Sequence, residues 1–266
     1  MTDHEIPVDP APDGPDPAAT SAGIETLLEE HRTFAPPKAF RRTANCSDPE
    51  IWAKADADWE GWWESWAEQL QWDQPWEQVL EWKPPYAKWF LGGKLNASVQ
   101  CLDRHVVAGH GDRTAFFWEG ESGDKSKLSY QDMLKRTCKV ANGLKALGVG
   151  KGDRVCLYMP MVPELAMTVL ACSRIGAIFS VVFAGFSATS LRDRIQDLEA
   201  KVVVCADGCW RRGKALDLKG VVDEAVETCA SVEKVLVWER GEGVTEALAE
   251  IHGDRAQPRD ISWAEA

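Results

Sequence analysis

Along this chain the apolar positions change period, and the change marks its elements. Three runs between Arg154 and Cys205 are almost continuously apolar: Arg154–Tyr158 (RVCLY), Ala177–Phe183 (AIFSVVF) and Lys201–Cys205 (KVVVC). Unalternating runs rich in β-branched residues read as strands buried on both faces. Between them lie segments long enough for crossover helices. One is Glu164–Arg174, set off by Pro160 and Pro163; the other follows Ser187 and carries Leu191, Ile195 and Leu198 at helical spacing. Lys234–Trp238 (KVLVW) reads as a fourth parallel strand, after a helix over about Leu218–Ala230. The pattern predicts an α/β fold, a parallel sheet with helices on both faces. Such sheets take ligands beyond the carboxyl ends of their strands.

Upstream the periods are shorter. Thr114–Gly120 reads as a strand and Gly120–Lys127 as a polar hairpin turn. Ser129 and Asp132 form a capping box. Met133, Thr137, Val140, Leu144 and Leu147 then keep a 4-3-4-3 spacing, one apolar helix stripe closed by Gly148. Nine tryptophans crowd residues 36–92, and Trp52, Trp59, Trp62, Trp63 and Trp66 fall at helical intervals. Such rings could cage a ligand. The stronger reading is a Trp-rich segment of short helices that wraps the main domain and packs on it. The predicted organisation is a disordered Asp/Pro/Ala tail over residues 1–23, a wrapping segment over 24–108 with a helix starting near Ile24, and an α/β domain over 109–266. The last residues, Ile261–Ala266, read as the start of a helix.

Charge changes this picture little. The net charge of −12 over 266 residues is mostly a property of the N-terminus. Residues 1–31 hold eight acids and no Lys or Arg, leaving 34 acids against 30 bases elsewhere. The broad basic face that nucleic acid requires is missing. No apolar run is long enough for a bilayer span, and the N-terminus has neither a basic n-region nor an apolar h-region. The default expectations are a cytoplasmic location and no nucleic-acid or membrane partner; no oligomeric state is assigned. The eight cysteines are scattered without a C-x-x-C pair and read as reduced thiols, mostly in the core. Cys205 and Cys209 form a C-x-x-x-C with no partner pair, a poor metal site.

Two glycine motifs carry candidate chemistry. Gly148-Val-Gly150-Lys-Gly152 ends a helix and enters a strand, the reverse of a dinucleotide fingerprint, and reads as a turn. Gly208–Lys214 (GCWRRGK) fits G-x-x-x-x-G-K, but Ala215 stands where a P-loop needs Ser or Thr, and Trp210, Arg211 and Arg212 are bulky where backbone should wrap phosphates. An NTPase loop is therefore rejected. Three cations beside a strand end still suit a phosphate, and a solvated basic turn suits the residues equally well. No H-E-x-x-H or G-x-S-x-G occurs. His4, His31, His105, His110 and His252 stand apart and suggest no catalysis. Asp103-Arg104-His105 suits ion pairs that anchor an N-terminal segment to the core.

Taken together, several phrases resemble the AMP-forming acetyl-CoA synthetases of the adenylate-forming superfamily, in that family's order. They are WFLGGKLN (89–96), CLDRH (101–105), DRTA (112–115), WEG (118–120), GDRV (152–155), YMPMVPE (158–164), ACSRIGA (171–177), FAGFS (183–187) and ADGCWRRGK (206–214). The resemblance covers about residues 25–266. It implies activation of acetate with ATP to acetyl-adenylate, then transfer of the acetyl group to coenzyme A, with Mg2+ as the metal. It also implies that Arg211, Arg212, Gly213 and Lys214 contact the phosphate-bearing nucleotide end of coenzyme A, and that Phe183, Ala184 and Gly185 lie beside its adenine. Ala184 stands where the family commonly has glycine, and Gln100 where it commonly has Asn. No catalytic residue or metal ligand is assigned. The family's Ser/Thr/Gly-rich ATP loop, acyl pocket and catalytic lysine have no counterpart in residues 1–266. The chain is therefore expected to be an N-terminal fragment, inactive alone. Propionate as the acid, and a truncated non-catalytic module that binds coenzyme A, are the alternatives.

Overall fold

A computed structural model describes residues 33–241, 243–245, 247–248 and 257–266. The expectations for the acidic tail, the helix near Ile24 and His31 lie outside them. The described residues divide into two units, one ending at Ala57 and one running from Asp58 to Ala266. The first holds α1 (Lys38–Thr43) and α2 (Ile51–Ala57).

In the second unit the expected sheet is present. Its strands are β5 (Arg154–Tyr158), β6 (Ile178–Val181), β7 (Val202–Ala206), β10 (Lys234–Trp238) and β11 (Asp260–Ser262), in the order β11-β10-β7-β5-β6, all parallel. Helices α4 (Tyr130–Ala146) and α5 (Pro163–Ile175) cover one face; α6 (Ala188–Leu198) and α7 (Leu218–Val226) cover the other. The period of two along each strand divides the core between them. Cys156, Tyr158, Val203, Cys205 and Val235 meet Leu191, Ile195, Leu218 and Val222, whereas Val155, Leu157, Val202, Val204 and Leu236 meet Ala141, Leu144, Ala171 and Cys172. Each fully buried Val or Leu contributes about 1.5–3 kcal/mol relative to exposure. That is why the runs Arg154–Tyr158 and Lys201–Cys205 form the sheet's centre; the third run departs from the expectation of burial on both faces, since β6 is an edge strand that leaves Ile178, Phe179 and Val181 exposed. Burial pushes the thiols of Cys156 and Cys172 up to about 12, so both stay protonated and inert.

The caps follow the sequence. Ser129 and Asp132 close a reciprocal capping box on α4, Gly148 beyond its end is left-handed, and Ser187 caps α6 through the Ser190 N–H. The strand β3 (Thr114–Glu119) pairs antiparallel with β4 (Lys125–Ser129). The expected anchor is also present. The Arg174 guanidinium donates two hydrogen bonds to the Asp103 carboxylate, at 2.8 and 2.6 Å, and a third to Ser98 Oγ. This ties the wound segment Val99–Asp103 to the C-terminal end of α5.

Two expectations fail. The tryptophans do not all lie on helices. Helix α3 (Trp59–Ala67) is followed by a hairpin of β1 (Gln78–Lys83) and β2 (Tyr86–Leu91), which carries Trp82 and Trp89. Pro84 and Pro85 bar a helix there and turn the chain, while aromatics fit a strand as well as a helix. Edge-on contacts join Trp59 to Trp82 and Trp89, and Trp63 to Trp89, and Trp82 remains 57% exposed. These rings pack on one another. Nor do Ile261–Ala266 begin a helix: Ile261 pairs with Leu236 in β11 and joins the apolar layer with Trp263. A free β10 edge outweighs local propensity in so short a stretch. Among the described residues, no helix is long and apolar enough to cross a membrane.

Candidate functional site

Relative to the chain, strands β6-β5-β7-β10-β11 follow the order 2-1-3-4-5, with the switch point between β5 and β7. The basic segment lies just past the carboxyl end of β7. It is a hairpin, not a loop: β8 (Gly208–Arg211) pairs antiparallel with β9 (Lys214–Asp217), and Arg211 is opposite Lys214. Arg212 and Gly213 form the two-residue turn with φ of 52° and 71°. Left-handed φ at both positions is the turn geometry whose twist matches a hairpin. The result is three cations at one tip.

Asp207 fixes the base of this hairpin. Its carboxylate accepts from the backbone N–H of Gly208 (2.7 Å) and Arg240 (2.9 Å) and from Thr245 Oγ1 (2.5 Å). Its carbonyl accepts from Leu218 and Lys219 N–H, the start of α7. Gly208 tolerates no side chain, since a Cβ would lie 2.6 Å from the Leu216 carbonyl oxygen.

Beyond β6, Phe183–Phe186 reaches the same place. Tyr158 ends β5, is fully buried, and holds this stretch from beneath: its hydroxyl donates to the Phe186 carbonyl at 2.9 Å and accepts from the Gly185 N–H at 3.2 Å. Burial raises the Tyr158 phenol above its ordinary range, so it remains a donor. The Arg211 guanidinium carbon lies 5.7 Å from the Phe183 ring centroid, within cation–π range. The resemblance implies that Phe183, Ala184 and Gly185 lie beside the adenine, and Arg211, Arg212, Gly213 and Lys214 at the phosphate-bearing end, of one ligand. The structure brings the two groups together through Arg211. That side chain borders a cavity of about 290 Å³ with Phe183, Ala184, Cys209 and Arg240, and a second of about 480 Å³ with Tyr158, Gly185, Arg212 and Lys214.

The AMP-binding enzyme family model matches residues 103–264, all five strands of the sheet and the whole of this site. The chain belongs to the AMP-binding enzyme family. A second model, the acetyl-coenzyme A synthetase N-terminus, matches residues 49–101. Among curated proteins, an acetyl-coenzyme A synthetase of Streptomyces coelicolor is 50% identical over 222 residues, covering 83% of this chain and 34% of that protein. One from Rubrobacter xylanophilus is 48% identical over 236 residues, 88% of this chain and 35% of that protein. The chain thus spans about a third of the length of the relatives it matches. Among solved structures, acetoacetyl-CoA synthetase from Streptomyces lividans superposes with a TM-score of 0.70 at 23% identity, over 85% of this chain and 34% of that one, a likeness of fold.

Within this member of the AMP-binding family, several site residues gave no local sign of their role. Tyr158 looked like one more apolar strand residue; a phenol ending an aliphatic strand, whose hydroxyl must find a partner, was the available clue. Trp118 donates its indole N–H to the Met161 carbonyl and lies 5.6 Å under Arg240, joining three segments far apart in sequence. Among the described residues no group of three or more His, Cys, Asp or Glu could hold a metal, so none is assigned to Mg2+.

Gly185 has φ of 143°, and a Cβ there would fall 2.5 Å from Arg211 Nη1. Gly185→Ala should therefore dislodge Arg211 from Phe183. Since Gly185 sits on the surface of the fold, the expected loss of stability is about 1 kcal/mol, the low end for a strained backbone position. The larger effect should fall on any ligand that Arg211 holds. Thermal melts and titrations of the variant check the two effects separately.

Proposed function

We propose that this chain supplies the coenzyme A phosphate contacts of an acyl-CoA ligase that activates acetate with ATP and passes the acetyl group to coenzyme A. The names of the relatives supply the reaction class. The observation that carries the assignment to these residues is Arg211 lying over Phe183, which joins a tricationic hairpin to an aromatic and glycine-bearing segment at the switch point of a parallel sheet. In this reading Arg211, Arg212 and Lys214 hold the phosphates of the nucleotide end; Arg supplies planar donors and Lys a point charge. Phe183, Ala184 and Gly185 form the surface for the adenine. Asp207 and Tyr158 hold those two surfaces in register without touching the ligand.

Neither ATP nor acetate is assigned to residues of this chain. The 266-residue protein mixed with acetate, ATP, Mg2+ and coenzyme A is expected to release no AMP or pyrophosphate above a protein-free blank. Equilibrium dialysis of the same protein is expected to retain coenzyme A. Turnover by the chain alone would contradict the division of labour. A chain that retains no coenzyme A would remove the assignment.

A further inference from the structure

The ladder of the basic hairpin pairs Arg211 with Lys214, so the N–H groups of the turn residues Arg212 and Gly213 have no strand partner. The Gly213 N–H donates instead to Glu121 Oε1 at 2.8 Å, across 92 residues of chain. Glu121 belongs to the β3–β4 turn, which is closed by the Gly120–Asp124 backbone bond. It also lines the smaller cavity with Arg211 and Arg240. Successive backbone N–H groups in a turn make an anion-binding nest, and those of Arg212 and Gly213 are successive and flanked by cations. Here a tethered carboxylate fills it.

We infer that Glu121 is the resident anion of this nest and a specificity-determining residue, which a ligand phosphate displaces from the Gly213 N–H. The inference rests on the reading of the hairpin as a phosphate site and adds a selection rule to it. Glu121 is tethered, so weak anions do not compete with it at ordinary concentrations. A phosphate of higher charge gains the three cations and the N–H together, and it displaces the acid. The β3–β4 turn then loses its hold on the hairpin tip. A purely structural hydrogen bond makes the opposite prediction: removing Glu121 would loosen the tip and weaken any ligand there.

The sign of the effect therefore decides. Glu121→Gln keeps an oxygen for the Gly213 N–H and removes the charge. With inorganic pyrophosphate as probe, this variant should bind about fivefold more tightly than the unsubstituted protein, the scale of one unit charge at close range in a wet site. Coenzyme A should gain similarly. Glu121→Ala should gain as well, despite losing the bond. Adding Arg212→Ala to Glu121→Gln should cancel the gain, and Glu227→Gln, at the far end of α7, should change affinity by less than about twofold. Thermal melts confirm that each variant is folded. If coenzyme A binds no variant but pyrophosphate still separates Glu121→Gln from the parent, the ligand assignment falls and the displaced carboxylate stands. If pyrophosphate binds Glu121→Gln no better than the parent, or binds neither, the inference is overturned.

Discussion

Arg211→Ala should weaken coenzyme A binding by roughly 1.5–3 kcal/mol, the usual scale for hydrogen bonds to a charged group. That is about tenfold or more in dissociation constant. Arg211 lies over Phe183 and borders both cavities at the hairpin, so its loss removes a cation and one wall together. It is exposed, with the hairpin ladder and the Asp207 anchor independent of its side chain, so the melting temperature should move by less than about 2 °C. Arg211→Lys should recover only part of the affinity, since an ammonium keeps the charge but loses the planar stack. Titration calorimetry on the three proteins checks this. Equal affinity for all three would leave the hairpin a solvated basic turn.

The largest effect on stability is expected at the other end of the sheet. Asp103→Ala should cost about 2–3 kcal/mol, because it strands the partly buried Arg174 guanidinium after removing two short charge-assisted bonds. The melting temperature should fall by roughly 5 °C or more. The pH dependence has a definite sign. The hydrogen bonds from Arg174 hold the Asp103 carboxyl below its ordinary value. A depressed carboxylate contributes its full stabilisation above the unfolded value of about 3.9 and loses it as pH falls through the lower folded value. The deficit of Asp103→Ala should therefore be constant from pH 7 to pH 5 and shrink below about pH 4. Denaturant melts across that range measure it. A deficit that shrank between pH 7 and pH 5 would point to a different group.

The central sheet was legible because burial on both faces leaves an unbroken apolar run, and Val202–Ala206 is buried throughout. Caps were legible because Ser129, Asp132 and Ser187 act within three residues of themselves. The tryptophan hairpin was not, since aromatics fit either period and the helical spacing of Trp59–Trp66 masks the change to strands around Pro84 and Pro85. Of the site, the cations stood out in the residues themselves, and the Phe183 segment entered only through the family resemblance. What joins them showed in neither. Tyr158 acts across 27 and 28 residues, Asp207 across 33 and 38, and Glu121 across 92, distances over which no local pattern carries information.

The most direct test of the central claim compares coenzyme A with dephospho-coenzyme A on the unsubstituted chain. The two ligands differ by one phosphate, at the end assigned to Arg211, Arg212 and Lys214. Measured side by side by calorimetry at one ionic strength, coenzyme A should bind about tenfold or more tightly, the scale of a charge-assisted contact. Equal dissociation constants for the two ligands would contradict the account.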